Sequence, residues 1–248
     1  MKTLGVIPLA GEGFRLGLKK PKSLAIIKNK VTVIEIIIKK IMNHCDHIVL
    51  IINPKFEKKF FNIISKKFNI NKFSFCYQAT PTGMGDAIFI SQPIWRKYLK
   101  LVVIWGDQLG ISKKTINKSM KIHKSKKNLI TLPITKRIKP YVEIKIKKEK
   151  INQIIQTREG EITSNIGYSD LGFFVLSNNN LLFFWEKFLK KKIIGRVTKE
   201  INFLSFLKFI DDYSYKVNFL EIICESESRG LNNISDLRYF RKNYDKIK

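Results

Sequence analysis

Thr3-Leu4-Gly5-Val6-Ile7-Pro8-Leu9-Ala10-Gly11-Glu12-Gly13-Phe14-Arg15-Leu16, followed by Lys20-Pro21-Lys22-Ser23-Leu24, opens the chain with a unit from which the rest can be read. Leu4 to Leu9 reads as a short buried strand, and Ala10 to Arg15 as a glycine-rich turn. Gly11 and Gly13 carry no Cβ, so backbone amides in this turn can approach a phosphate closely. The dinucleotide fingerprint fits poorly, because the third glycine, Gly17, comes one place late and no well-placed acid follows the second strand. Walker A is absent too, since no Gly-Lys-Ser/Thr follows the loop. Arg15 and Lys22 flank the turn and make it a triphosphate cradle: a guanidinium suits bidentate oxygen pairs, an ammonium acts as a point charge. The plainer alternative is a strand-to-helix turn with surface cations.

The segments that follow alternate as strands and crossover helices do in a parallel sheet. Val33 to Met42 is a helix-length apolar stretch, His47 to Ile52 a second buried strand, and Phe56 to Lys67 a helix. Phe73 to Tyr77 is a third strand, leading into the turn-rich Gln78-Ala79-Thr80-Pro81-Thr82-Gly83-Met84-Gly85-Asp86. A helix is expected to start near Asp86, with that carboxylate as its cap. Leu101 to Trp105 is a fourth strand, stopping at Gly106-Asp107. Beyond about Lys124 the texture changes. Leu129 to Thr135, Tyr141 to Lys147 and Ile151 to Gln156 alternate as antiparallel strands with charged edges. Gly172 to Leu176 returns to a buried run, and helices are expected over Leu181 to Phe188, Glu200 to Phe209 and Ile234 to Tyr244, with a late strand over Val217 to Ile223.

At 248 residues the chain fits one large domain, or a core with a sizeable insertion. Its 44% hydrophobic and 12% aromatic residues exclude intrinsic disorder, and no repeat period is present. No apolar run is long enough to span a membrane, and the N-terminus lacks the layout of a signal peptide. Cys45, Cys76 and Cys224 are isolated, without CxxC or Cys/His metal spacing, so a reduced, cytoplasmic setting is the simplest expectation. The net charge of +27 raises a nucleic-acid hypothesis. Against it, lysine pairs are scattered from Lys19-Lys20 to Lys190-Lys191-Lys192, as a codon bias towards Lys, Ile and Asn would produce. The charge therefore reads as a solvated surface that raises the local concentration of small anionic substrates.

Leu9 to Leu16 with Lys20 to Leu24 resembles the signature of the nucleotidyltransferases that make NDP-sugars and related activated phosphates, L-A-A-G-x-G-x-R-(M/L) and then P-K-x-L; this chain has Pro8-Leu9-Ala10 at its start. Gln78 with Thr82-Gly83-x-Gly85-Asp86-Ala87 resembles the segment that reads a pyrimidine base, Trp105-Gly106-Asp107 the metal-binding G-D, and Arg229-Gly230-Leu231-Asn232-Asn233 the G-(V/I)-N-(T/N) segment. The order of the four covers nearly the whole chain. The resemblance takes in the uridylyltransferase domains acting on N-acetylglucosamine 1-phosphate and small cytidylyltransferases of the phosphocholine or phosphoglutamine type, the latter serving capsule decoration. It implies an α/β fold with a Rossmann-like, mostly parallel mixed sheet, a glycosyltransferase-A-type core and a smaller β-rich insertion. The whole chain, 1–248, is then one domain: a nucleotide-binding half over about 1–125, an acceptor-binding insertion over about 126–215, and a closing segment over 216–248.

The same resemblance implies site residues. Leu9, Ala10, Gly11, Gly13, Gln78, Thr82, Gly83 and Gly106 would bind the nucleotide, Arg15 and Lys22 would be catalytic, and Asp107 and Asn232 would hold Mg²⁺. Taken alone, Asp107 would read as a cap or turn residue. The acceptor positions depart from the family. Pro140-Tyr141-Val142-Glu143 stands where sugar-1-phosphate members carry a glycine-rich turn, Gln156 replaces the sugar-binding Glu, and Asp170 replaces an Asn. These changes lean the reading towards CTP and a phosphorylated non-sugar acceptor, with Gln156 and Asp170 as the acceptor-binding residues. A sugar-1-phosphate uridylyl- or thymidylyltransferase is the rival, and a nucleic-acid-binding protein on a degenerate transferase scaffold is the alternative from another class. No general base is needed, because a phosphate monoester with a second pKa near about 6 is already ionised; accordingly no Ser/His/Asp or paired-carboxylate set is found, and His44, His47 and His123 are expected to be structural or on the surface. The expected partners are an NTP (CTP or UTP) and a phosphorylated small molecule, with no nucleic acid and no membrane. No left-handed helical repeat follows, so the enzyme is expected to stand alone.

Overall fold

The computed structural model describes residues 2–11, 17, 20–80, 82–123, 129–213 and 215–247. Gly13 and Arg15, both assigned to the phosphate cradle, lie outside the described residues. The elements run in the order β1 (Thr3–Pro8), β2 (Ile26–Lys28), β3 (Val31–Thr32), α1 (Val33–Ile41), β4 (His47–Ile52), α2 (Glu57–Lys67), β5 (Phe73–Tyr77), α3 (Met84–Ile90), α4 (Gln92–Trp95), β6 (Lys100–Ile104) and α5 (Lys113–Ile122). They continue with β7 (Leu129–Ile138), β8 (Val142–Lys147), β9 (Lys150–Gln156), β10 (Ile166–Asp170), β11 (Phe173–Ser177), α6 (Leu181–Lys190), α7 (Phe203–Tyr213), β12 (Lys216–Glu221), α8 (Ile234–Lys242) and α9 (Tyr244–Ile247).

The main sheet has the order β10-β7-β11-β6-β1-β4-β5, and β12 pairs with β7. The contacts β1–β4, β1–β6, β4–β5 and β7–β12 are parallel, whereas β11 runs antiparallel to β6 and β7, and β10 antiparallel to β7. Within the stretch 126–215, β8 and β9 pair as a separate hairpin, while β7, β10 and β11 are strands of the main sheet. The central strands read as continuous apolar runs because both faces are covered. Ile48, Leu50 and Ile52 of β4 belong to the core under α1, α2 and α8, while Val49 and Ile51 face the core under α3, α6 and α7. That alternation is the two-residue period of a strand.

Several boundaries differ from those read in the sequence, for local reasons. Helix α3 begins at Met84 with Gly83 as its N-cap, not at Asp86, because Gly83 takes a φ of 125° that turns the chain into the helix. Asp86 sits in the first turn instead. Helix α7 begins at Phe203 rather than Glu200. The backbone of Ile201 is extended against the base loop, its N–H donating to Thr82 O and its O accepting from Gly85 N, both at 2.9 Å. Asn202 Oδ1 then accepts from Leu204 N at 2.9 Å. The closing helix stops at Lys242, with Asn243 as its C-cap and α9 beyond it. Among the described residues no helix is long and apolar enough to cross a membrane.

Candidate active site

Three loops leave the carboxyl ends of parallel strands on the same edge of the sheet: Leu9-Ala10-Gly11 after β1, Gln78 after β5, and Trp105-Gly106-Asp107 after β6. From β1 the chain winds outward to β4 and β5 on one side, and β6 lies on the other, so β1 and β6 flank the point where strand order reverses. Ligands of open α/β sheets bind in the crevice at that point. Gly106 allows the two strand ends to close together. A Cβ there would lie 2.3 Å from Leu9 Cδ2 and 2.7 Å from Pro8 O.

A cleft of about 230 Å³ opens at this edge, lined in part by Leu9, Ala10, Gly11, Lys22, Gln78, Gly83, Gly106 and Asp107. Eight residues drawn from three of the four sequence motifs thus share one cavity. Thr82 stands behind it as a partner of Gln78. Lys22 Nζ donates to Asp107 Oδ2 at 3.1 Å and to Asn232 Oδ1 at 3.3 Å. Both side-chain oxygens therefore converge on one cationic point. Oxygen donors of this kind suit a hard divalent cation, and two protein oxygens leave the remaining positions to phosphate and water, as is usual for Mg²⁺. No group of three or more His, Cys, Asp or Glu suited to a metal occurs among the described residues.

Asn232 reaches Asp107 because two distant loops are stitched together by backbone. Leu231 N donates to Asp107 O at 2.8 Å and Gly110 N to Arg229 O at 3.0 Å. Gln108 Nε2 adds a bond to Glu227 O at 2.7 Å. From below, buried Lys40 of α1 donates to Leu109 O at 2.5 Å and Ile111 O at 2.7 Å. Burial lowers its pKa to about 7, against a smaller opposing effect of Glu227. Asn233 and Asp236 form a capping box that starts α8 directly after Asn232.

The base-reading segment is held as tightly. Gln78 Nε2 lies 3.1 Å from Thr82 Oγ1, 3.3 Å from Gly83 O and 3.1 Å from Asp86 Oδ2. Thr82 Oγ1 also donates to Asp86 Oδ2. Gly83 is required twice over: its φ is positive, and a Cβ would lie 2.5 Å from Ile201 O.

The two residues expected to meet the acceptor are placed differently. Gln156 is buried, and its Oε1 accepts from Asn202 Nδ2 and from Arg158 Nε at 3.3 Å. Asp170 is buried, with Oδ1 accepting from Gly172 N at 2.7 Å. Burial raises its pKa, Gly172 N–H opposes this, and nearby Asp107 raises it further. Neither lines the cleft. Arg158 and Glu200, which sequence reading had passed over, do line it and pair at 2.8 Å. The available signal was an arginine two residues beyond the end of a strand. Of the histidines, His123 is buried against Thr131 Oγ1 at 3.0 Å, and His44 and His47 bond Asn117 and Ser74.

A mixed sheet with a cleft at its switch point, a lysine and a convergent Asp/Asn pair fits the class of α/β nucleotide-handling transferases. Residues 4–159 match the Nucleotidyl transferase family; the chain belongs to that family and is a nucleotidyltransferase. Its fold is similar to that of a putative glucose-1-phosphate thymidylyltransferase from Bacillus anthracis, solved with a sucrose, at a TM-score of 0.71 and 14% identity over 99% of this chain and 96% of that one. It is equally similar to the inositol-1-phosphate CTP transferase from T. maritima, with a TM-score of 0.71, 18% identity and the same coverage of 99% and 96%. At these identities the two structures establish the fold.

Proposed function

We propose that the protein transfers CMP from CTP to a phosphorylated, non-sugar small molecule of phosphoglutamine or phosphocholine type, releasing pyrophosphate. The observation that carries the choice of base is the grip of Asp86 on Gln78. A carboxylate only accepts hydrogen bonds, so it fixes Nε2 as the end of the amide facing it. Among the described residues nothing donates to Gln78 Oε1, which is left for the ligand in the cleft that Gln78 lines. Cytosine offers an amino group at its 4-position, whereas uracil and thymine offer a carbonyl there. An acceptor facing the amino group makes a bond; facing the carbonyl, it opposes two sets of lone pairs.

The chemistry follows from positioning and charge. An oxygen of the acceptor phosphate attacks the α-phosphorus in line, the bond from the α-phosphorus to the bridging oxygen breaks, and pyrophosphate leaves with the electron pair. Lys22 holds the two reacting phosphates together and lowers their repulsion, and Arg15 is assigned to the leaving pyrophosphate. Asp107 and Asn232 would hold Mg²⁺, which when bound neutralises phosphate charge. Leu9, Ala10, Gly11 and Gly13 supply backbone to the triphosphate. Arg158, held by Gln156 and Glu200, adds a cation from the second half of the chain. Gln156 thus bears on the substrates through Arg158, and Asp170 through the Gly172 turn, whose O accepts from Trp105 N at 2.9 Å beside Gly106-Asp107. The burial of Gln156 and Asp170 leaves no side chain at those positions for sugar hydroxyls, which supports the non-sugar acceptor.

The test is a thermal-shift comparison of CTP, UTP, dTTP, ATP and GTP with and without Mg²⁺, since selective binding stabilises the fold by mass action. A Mg²⁺-dependent shift for CTP alone is expected. A UTP or dTTP preference would put a sugar 1-phosphate acceptor first. Equal shifts for every polyanion, inorganic polyphosphate included, would reduce the cradle to a basic surface.

A further inference from the structure

A second cavity, of about 590 Å³, shares none of its lining with the first cleft but includes Asn232, whose Oδ1 accepts from Lys22. It lies between the end of β7, the start of the β8–β9 hairpin, and the turn that leads into α8. A ligand seated in it can therefore reach the reacting centre at Asn232 without displacing the nucleotide.

Four ionised side chains line this cavity, and they divide into two unlike pairs. Arg229 Nε bonds Asp236 Oδ1 at 2.8 Å, and its guanidinium lies 4.1 Å over the Tyr239 ring. Asp236 is further occupied by the N–H groups of Asn232 and Asn233. This pair is committed to holding the α8 N-terminus in place.

Among the described residues Arg137 and Glu225 hold only one another, in an ion pair that makes no hydrogen bond. Glu225 Oε1 lies 3.5 Å from Arg137 Nε, and that Nε is buried without a hydrogen-bond partner among the described residues. The Glu225 carboxylate, 52% exposed, has no other partner among them either. A buried donor left unpaired is costly, and its persistence beside a cavity points to a ligand that completes it. An uncharged polyol would have to strip water from both ions without replacing their charge interactions. A group carrying both a carboxylate and an ammonium replaces them: the carboxylate takes the Arg137 guanidinium, and the ammonium takes Glu225.

We propose that this cavity holds the non-reacting end of the acceptor and that this end is zwitterionic, of α-amino-acid type, with its carboxylate at Arg137, its ammonium at Glu225 and its phosphate presented towards Asn232 and Lys22. The proposal rests on the nucleotidyl-transfer reading and narrows its acceptor class.

The test is calorimetric titration of the full chain, with and without CTP and Mg²⁺, using O-phospho-L-serine and its one-carbon-longer homologue against ethyl phosphate and sn-glycerol 3-phosphate. At least one phosphoamino acid is expected to bind about tenfold more tightly than both controls, as one charge-assisted contact would give. That advantage is expected to vanish in Arg137→Gln and in Glu225→Gln, while the CTP shift of either variant stays that of the unaltered protein. Equal binding of all four phosphates, or an advantage that survives both substitutions, would overturn the proposal. Loss of CTP binding by the unaltered protein would sink the nucleotide reading instead, and the titration without CTP still decides this one.

Discussion

Lys22 Nζ lies 3.1 Å from Asp107 Oδ2, across 85 residues of sequence, and the same ammonium touches Asn232. The side chains are 20% and 28% exposed, so the pair contributes little to stability. On the proposed reading its value lies in setting a cation beside two oxygens that suit a metal, where both would hold the reacting phosphates. Lys22→Ala and Asp107→Ala are each expected to lower turnover by at least about a hundredfold. Pyrophosphate release and a melting curve check this together. Near-normal turnover in either variant, with melting unchanged, would remove that residue from the chemistry.

The Gln78–Asp86 contact predicts a change in base preference. In Asp86→Asn the side chain presents both a donor and an acceptor, so the Gln78 amide is free to turn. The preference for CTP over UTP is expected to shrink by about tenfold, the worth of one well-placed hydrogen bond. Competitive displacement of bound CTP by UTP reads it. An unchanged ratio would show that Gln78 does not set the base.

Gly83 carries a backbone argument that can be checked without substrate. A Cβ at φ 125° would sit 2.5 Å from Ile201 O and 2.6 Å from Ile201 N. Gly83→Ala must push the 200–202 segment off the base loop, at a cost of about 2 kcal/mol or more. Its melting temperature should fall by several degrees, with loss of the nucleotide-induced shift. Equal melting of variant and unaltered protein would mean that the segment moves freely.

Glu159 organises the neighbouring wall. Buried in the turn after β9, it accepts from Val197 N at 2.8 Å, Thr198 N at 3.1 Å and Thr198 Oγ1 at 2.5 Å. Glu159→Ala leaves those donors unpaired, and a loss of about 1–3 kcal/mol is expected. Because the same segment carries Glu200, the partner of Arg158, nucleotide affinity should fall with it. Chemical denaturation and titration with CTP measure the two effects separately.

Lys40 gives the pH dependence. Its pKa falls from 10.5 to about 7 on folding, chiefly through burial, so between those values the unfolded chain binds the extra proton. This group's contribution therefore makes stability rise with pH from about 7 to 10.5, and the cost of the buried charge is fully present below about 7. Relative to Lys40→Met, the unaltered protein is expected to gain stability across that window. Melting curves of both at pH 6.5 and 9.5 give the difference, and a constant gap would show that Lys40 keeps its proton throughout.

The sequence by itself determined most of the strands and most of the cleft, but not the order of the strands. Short, β-branched apolar runs such as His47 to Ile52 read as strands covered on both faces, and the turns after β1, β5 and β6 carry glycines whose backbone role is local. Residues that act through their own loop, Gly11, Lys22, Gln78, Gly83 and Asp107, were therefore legible from short motifs, and they meet in one cleft. Helix starts at Gly83 and Phe203 were not, because each depends on hydrogen bonds between segments far apart in the chain. For the same reason only the tertiary structure brought Arg158 and Glu200 to the cleft wall, turned Gln156 and Asp170 inward, and placed Lys40 beneath the Asp107 loop. It also brought Arg137 of β7 within 3.5 Å of Glu225 at the wall of the second cavity. A motif records what one stretch of backbone needs. The pairing of charges across a cavity is decided by which strands lie side by side, and no single stretch carries that information.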